Sequence, residues 1–76
     1  MKQIDNSECL CDFGEWIRKE RERRELTQSE VALMVGIHQT YYSKLELAKR
    51  EVDLVTAIKI CKALGLDLSD FIKTHM

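Results

Sequence analysis

The chain predicts an all-α fold, and three observations predict it. It contains no proline, its β-branched residues are scattered rather than alternating, and its apolar residues recur at helical spacing between short turn signals. With 76 residues and 45% apolar content it has material for one small core, near the lower size limit at which a domain folds alone. No run approaches the roughly 20 apolar residues of a membrane span, so no membrane partner is expected. The opening MKQIDNSECLCD carries no apolar leader segment, and the expected compartment is the cytoplasm. Three cysteines, an odd number, fit that reducing compartment better than a disulfide framework.

Residues 1–11 are polar apart from Ile4, Leu10 and two cysteines, which predicts a flexible N-terminal arm ahead of one domain over 12–76. A first helix is expected from about Asp12 to Arg24, with Phe13 and Ile17 four apart on its inner face. Thr27 and Glu30 have capping-box spacing at the start of a second helix, which Gly36 ends after about two turns. His38 is expected to cap a third helix running to about Leu47. Asp53 is the expected N-cap of a fourth, in which Leu54, Ala57, Ile58, Cys61 and Leu64 keep a helical stripe and Gly65 is the stop. Asp67 can cap a last short helix carrying Leu68, Phe71 and Ile72. Short helices with short connections make a compact five-helix bundle.

The segment from Thr27 to Glu46, TQSEVALMVGIHQTYYSKLE, is the most informative part of the chain. Val31, Ala32, Val35, Gly36, Ile37, Tyr42 and Leu45 stand where two short helices crossing at a tight turn need apolar or small residues. That is the pattern of a helix-turn-helix, whose second helix usually lies in the DNA major groove. The net charge of −1 is unhelpful to such a role, since phosphate neutralisation dominates DNA affinity. The charges are uneven, however. Arg18, Lys19, Arg21, Arg23 and Arg24 outnumber Glu20 and Glu22, and Lys44, Lys49 and Arg50 cluster around the end of the third helix. Modest non-specific affinity is expected.

Helical geometry sorts the third helix. At ~100° per residue, Gln39, Thr40, Ser43 and Lys44 fall on one side, and Tyr42 and Leu45 on the other. The apolar side must face the core, so the polar side is left for base edges. Gln can bond bidentately to adenine, Lys to guanine, and the Thr methyl can pack on a thymine methyl. The alternative is a merely solvated polar face. Gln28, in the first turn of the second helix, sits where free N–H groups favour a phosphate, and Lys49 and Arg50 are expected to meet flanking phosphates. His38 and Tyr41 are further candidates for the DNA backbone, unless His38 only caps its helix and Tyr41 leans on the core.

From Phe13 to Ile72, about four-fifths of its length, the chain resembles the phage repressor and Cro-type (XRE-type) helix-turn-helix domains. The resemblance rests on FGEWIRKER, LTQSEVA, VGIHQTYYSKLE and KALGLDLSDF, in the right order and spacing. It departs at Ala48, where the family often has glycine, at Val52, where proline is common, and at Tyr42, usually a smaller aliphatic residue. The resemblance implies a lambda-repressor-like fold and an operator-binding transcriptional regulator, usually dimeric. It also implies that Gln28 clamps the DNA backbone and that Arg21 and Glu46 form a partly buried ion pair orienting the third helix. Without it, those two charges read as unrelated. The family includes antitoxins and controllers of restriction–modification genes, which the sequence does not separate.

No paired carboxylates, nucleophile elbow or phosphate-cradling glycine loop suggests an enzyme. Cys9 and Cys11 are spaced more tightly than zinc sites require, Cys61 lies on an apolar stripe, and His38 and His75 are far apart, so no metal or cofactor is expected. Trp16 either covers the arm or joins Phe71, Ile72 and Met76 in a homodimer interface. The reading favoured is a sequence-specific regulator of double-stranded DNA, dimeric on a palindrome with half-site centres ~10 base pairs apart. The alternative is a protein-interaction module, such as an antitoxin or adaptor, with a protein partner.

Overall fold

Five helices carry the chain in the computed structural model, which describes residues 6–74: α1 (Asn6–Arg23), α2 (Gln28–Val35), α3 (Gln39–Glu46), α4 (Leu54–Leu64) and α5 (Leu68–Thr74). Among the described residues there is no strand. The first helix begins well before the expected Asp12, so from Asn6 onward the anticipated arm is helix. No glycine or proline interrupts residues 6–11, and Cys9 and Leu10 are half-buried there, which lets α1 extend by packing. The rest of the expected arm, with Ile4, lies outside the described residues, as do His75 and Met76.

Local chemistry sets the helix ends. The Thr27 hydroxyl accepts from the Glu30 N–H at 3.0 Å, and the Glu30 carboxylate accepts from the Thr27 N–H at 2.9 Å, closing the capping box. The same bond holds the Glu30 carboxyl below its ordinary range. Gly36 closes α2 in the left-handed region at φ +82°, with its N–H on the Ala32 carbonyl at 2.9 Å. His38 occupies the N-cap position of α3 but makes no side-chain capping bond, contrary to expectation. An imidazole has no short oxygen of the kind that Asp53 offers the Thr56 N–H at 2.7 Å in α4.

The core gathers Phe13 and Ile17 from α1, Val31, Ala32 and Val35 from α2, Tyr42 and Leu45 from α3, and Ala57, Ile60, Cys61 and Leu64 from α4. This corrects the stripe expected for α4. Leu54 and Ile58 are 67% and 38% exposed, and Ile60 takes the inward place. The segment LVTAIKICKAL is apolar on more than one side, so packing against α2 and α1 decides which side turns in. Burial pushes the Cys61 thiol up to about 11, which leaves it an inert core residue.

Three aromatic rings dock α5 onto α1. Phe71 meets Phe13 edge-on at 5.4 Å and Trp16 at 5.2 Å between ring centroids. Phe71, expected at a dimer interface, and Trp16, expected either there or over the arm, are therefore half-covered within one molecule, because α5 folds back far enough to use them. Ile72 remains 46% exposed.

Ala48, following α3, adopts φ +59°. A left-handed backbone costs an L-residue about 1–2 kcal/mol. Glycine would remove that strain and return about 0.4–1 kcal/mol through a freer unfolded chain. Ala48→Gly is accordingly expected to stabilise the protein by about 0.5–1 kcal/mol and raise the thermal midpoint by several degrees. An unchanged or lower midpoint would contradict a strained Ala48.

Candidate nucleic-acid interface

The polar face of α3 forms a shallow, open concavity with the start of α2 and the loop after α3. Its walls are Gln28, Gln39, Thr40, Ser43, Lys44, Leu47 and Lys49. The four residues expected at base edges thus lie together, joined by two of those expected at phosphates. Tyr42 and Leu45, on the opposite side of the helix, are buried. Sequence reasoning missed Leu47 as a member of this surface. The signal was available: Leu47 lies three residues beyond Lys44 and seven beyond Thr40, on the same helical stripe.

One side-chain network holds this surface in place. Arg21 of α1 grips Glu46 of α3 through two bonds, Nε to Oε2 at 2.7 Å and Nη2 to Oε1 at 3.0 Å. Its Nη1 reaches the Leu26 carbonyl at 2.9 Å, and Gln28 of α2 donates Nε2 to Glu46 Oε1 at 2.9 Å. A paired guanidinium fork and carboxylate fix direction as well as distance, so α1, α2 and α3 meet at one carboxylate. The buried Tyr42 hydroxyl also faces this carboxylate, near enough to interact but outside hydrogen-bond geometry. Burial, reinforced by the Glu46 charge, drives the Tyr42 phenol far above its ordinary range and keeps it neutral.

The basic run of α1 is paired largely with the helix's own glutamates. Arg18 pairs with Glu22 at 3.1 Å, Lys19 with Glu15 at 3.1 Å, and Arg24 with Glu20 at 2.8 Å, while Arg23 also holds Glu20. These are contacts one helical turn apart, and they offset much of the local positive charge within α1 itself. Among the described residues, no carboxylate forms an ion pair with Lys44 or Lys49. The positive charge of the concavity comes from those two lysines.

The remaining candidates lie around it. His38 is exposed at the head of α3. Tyr41 donates its hydroxyl to the Glu51 carbonyl at 3.3 Å, and the Arg50 guanidinium stacks over its ring at 5.5 Å. Both are thus tied to the loop between α3 and α4 and stand apart from the residues lining the concavity. No group of three His, Cys, Asp or Glu side chains converges among the described residues. No helix among them is long and apolar enough to cross a membrane.

A bihelical unit with a left-handed turn, a buried arginine–glutamate brace and a polar second helix defines a DNA-binding class of protein. Comparison with known proteins agrees: residues 17–71 match the family model described as helix-turn-helix. The chain belongs to the helix-turn-helix family of DNA-binding transcriptional regulators. It is 41% identical over 59 residues to control protein C.MunI from a Mycoplasma species, covering 76% of this chain and 80% of that one. It is 38% identical over 63 residues to control protein C.BamHI from Bacillus amyloliquefaciens, covering 78% of each. Among solved structures it is similar to the restriction-modification controller protein C.AhdI from Aeromonas hydrophila, with a TM-score of 0.77 and 29% identity. That match covers 82% of this chain and 94% of the other. Such relatives are regulators, not enzymes.

Proposed function

We propose that this regulator binds a palindromic operator as a symmetric homodimer, with α3 of each copy in the major groove, and that it acts as a controller-type protein. The observation that carries the reading is the concavity itself, whose polar side chains project from one helix braced on two others. Gln39 and Lys44 supply the donors and acceptors that read adenine and guanine, and Thr40 a methyl for thymine. Gln28 uses one amide hydrogen on Glu46 and keeps a second for a phosphate. Lys49 and Arg50 follow α3 as charges for the flanking backbone, with Tyr41 against Arg50 and His38 at the other end of the helix. The likeness to two control proteins over most of both chains supports the controller class.

Dimerisation is part of the proposal because one concavity with two free lysines offers few phosphate contacts, and a second copy doubles them. Ile72 is the C-terminal contact that stays exposed, and α4, packed on α5, adds exposed Leu54, Val55 and Ile58. Met76 lies outside the described residues, and Trp16 and Phe71 contribute only the edges that α1–α5 packing leaves uncovered.

Selection from random double-stranded DNA, followed by titration of operator variants, tests this reading. Gln39→Ala or Thr40→Ala is expected to weaken operator binding by about 1–3 kcal/mol and relax preference at particular base pairs. Lys49→Ala should weaken all sequences about equally and reduce the salt slope by roughly one. The full palindrome should bind far more tightly than a half-site. Mutants of both kinds behaving alike would displace the reading surface from α3. A selection that enriches no site, beside tight binding to a protein, would favour an interaction module.

A further inference from the structure

Leu47 is the one wholly apolar side chain lining the concavity, and it is 59% exposed. The core has no use for it: Tyr42 and Leu45 fill the inward side of α3 at 0% and 2% exposure. It is the C-cap of α3, and although its own backbone leaves the helix at φ −89° and ψ 1°, its N–H still makes the helical bond to the Ser43 carbonyl at 3.2 Å. Its side chain therefore continues the stripe of Thr40, Ser43 and Lys44. An apolar side chain among the polar ones of this surface offers an apolar contact to whatever the concavity meets. On base edges in the major groove, the apolar feature is a pyrimidine 5-methyl group.

We infer that Leu47 is a specificity-determining residue that packs on a pyrimidine 5-methyl group, carried by thymine in unmodified DNA. The inference rests on the reading of α3 as the recognition helix. The thymine lies beside the base pair that Lys44 reaches, since Leu47 follows Lys44 by one turn on the same face. Methyl contact of this kind discriminates thymine from cytosine without any hydrogen bond, adding to what Gln39 and Lys44 read.

The test uses the selected operator with each thymine replaced in turn by deoxyuridine, which removes the methyl and leaves every hydrogen-bonding edge intact. Affinities are measured for the wild type, Leu47→Ala and Gln39→Ala. One thymine in each half-site is expected at which deoxyuridine weakens wild-type binding about fourfold, the worth of one buried methyl group. At that position Leu47→Ala should lose its sensitivity to the methyl, while Gln39→Ala should keep it. Matching thermal melts for wild type and Leu47→Ala would confirm that the fold is intact, as expected for an exposed side chain. Equal sensitivity in wild type and Leu47→Ala, or wild-type indifference to deoxyuridine at every thymine, would overturn the assignment of Leu47 alone. A selection that enriches no site would overturn the recognition-helix reading beneath it.

Discussion

Glu46→Ala is expected to destabilise the protein by about 3–5 kcal/mol, because it strands a charge that the fold has enclosed. The Glu46 side chain is 1% exposed and that of Arg21 13%. Without the carboxylate, the guanidinium keeps only the Leu26 carbonyl, and the Gln28 amide loses its acceptor. For a domain of this size, each kcal/mol moves the midpoint by about 4–8 °C, so the variant should melt far below the wild type. Replacing both partners, as Arg21→Met with Glu46→Leu, should cost much less, since it removes the enclosed charge together with its partner. Urea unfolding of wild type, both single variants and the double variant measures the coupling. A loss below about 1 kcal/mol for Glu46→Ala would reduce the pair to an ordinary surface contact.

The same pair sets an acid limit on stability. Burial alone would raise the Glu46 carboxyl, but the Arg21 bonds, with the Tyr42 hydroxyl and the Gln28 amide nearby, outweigh it and hold the group below its ordinary 4.5. A carboxyl lowered in the folded state binds fewer protons there than in the unfolded chain. Its contribution is complete above about 4.5 and is lost as pH falls through the lower folded value. Glu30 and Asp53, lowered by bonds from helix-start N–H groups, and Asp67, lowered by the Ser69 hydroxyl and then its N–H, act in the same direction. In Glu46→Gln the acid limb should be shallower than in the wild type, whereas an identical limb would remove Glu46 from the account.

What the sequence makes legible is what neighbouring residues decide among themselves. The capping box of Thr27 and Glu30 and the left-handed Gly36 are local, so spacing and residue type suffice. The polar and buried sides of α3 follow from its 3.6-residue period. Tertiary choices are less visible. Both sides of α4 are apolar enough to turn inward, and only the surface of α2 and α1 selects Ile60 over Leu54 and Ile58. The partnership of Arg21 with Glu46 joins α1 to α3 across 25 residues and follows from family resemblance rather than from spacing. The basic run of α1 reads as a set of free charges until its own glutamates are seen to pair with it. Ala48 and Glu25, at φ +59° and +58°, take a backbone that residue type would assign to glycine. Leu47 was passed over because an exposed leucine carries no polar signal. Gly14 was passed over because its reason lies in another helix.

Gly14→Ala is the second large effect expected, and it acts where α1 seats the end of α3. Gly14, Ile17 and Arg21 recur at three and four residues along one face of α1. Ile17 is buried in the core, and Arg21 binds the last residue of α3, Glu46. At Gly14 the two backbones meet. A Cβ there would lie 2.6 Å from the carbonyl oxygens of both Leu45 and Glu46. Neither atom is the tip of a flexible side chain, and the Arg21 bonds hold Glu46 against α1, so relief requires α3 to shift as a body. Overpacking of this kind costs about 1–3 kcal/mol, and two backbone contacts place it toward the upper end. The gain in helix propensity from glycine to alanine, about 1 kcal/mol, offsets part of it. A net loss of about 2 kcal/mol is expected, lowering the midpoint by roughly 8–16 °C. The decisive readout is DNA binding at a temperature where the variant remains folded. A displaced α3 carries Gln39, Thr40, Ser43 and Lys44 with it, so operator affinity should fall although none of the contacting side chains has changed. Glu15→Ala, on the exposed side of the same helix, is the control and should alter neither property appreciably. A Gly14→Ala protein that melts with the wild type and binds its operator equally well would show that α1 does not position α3.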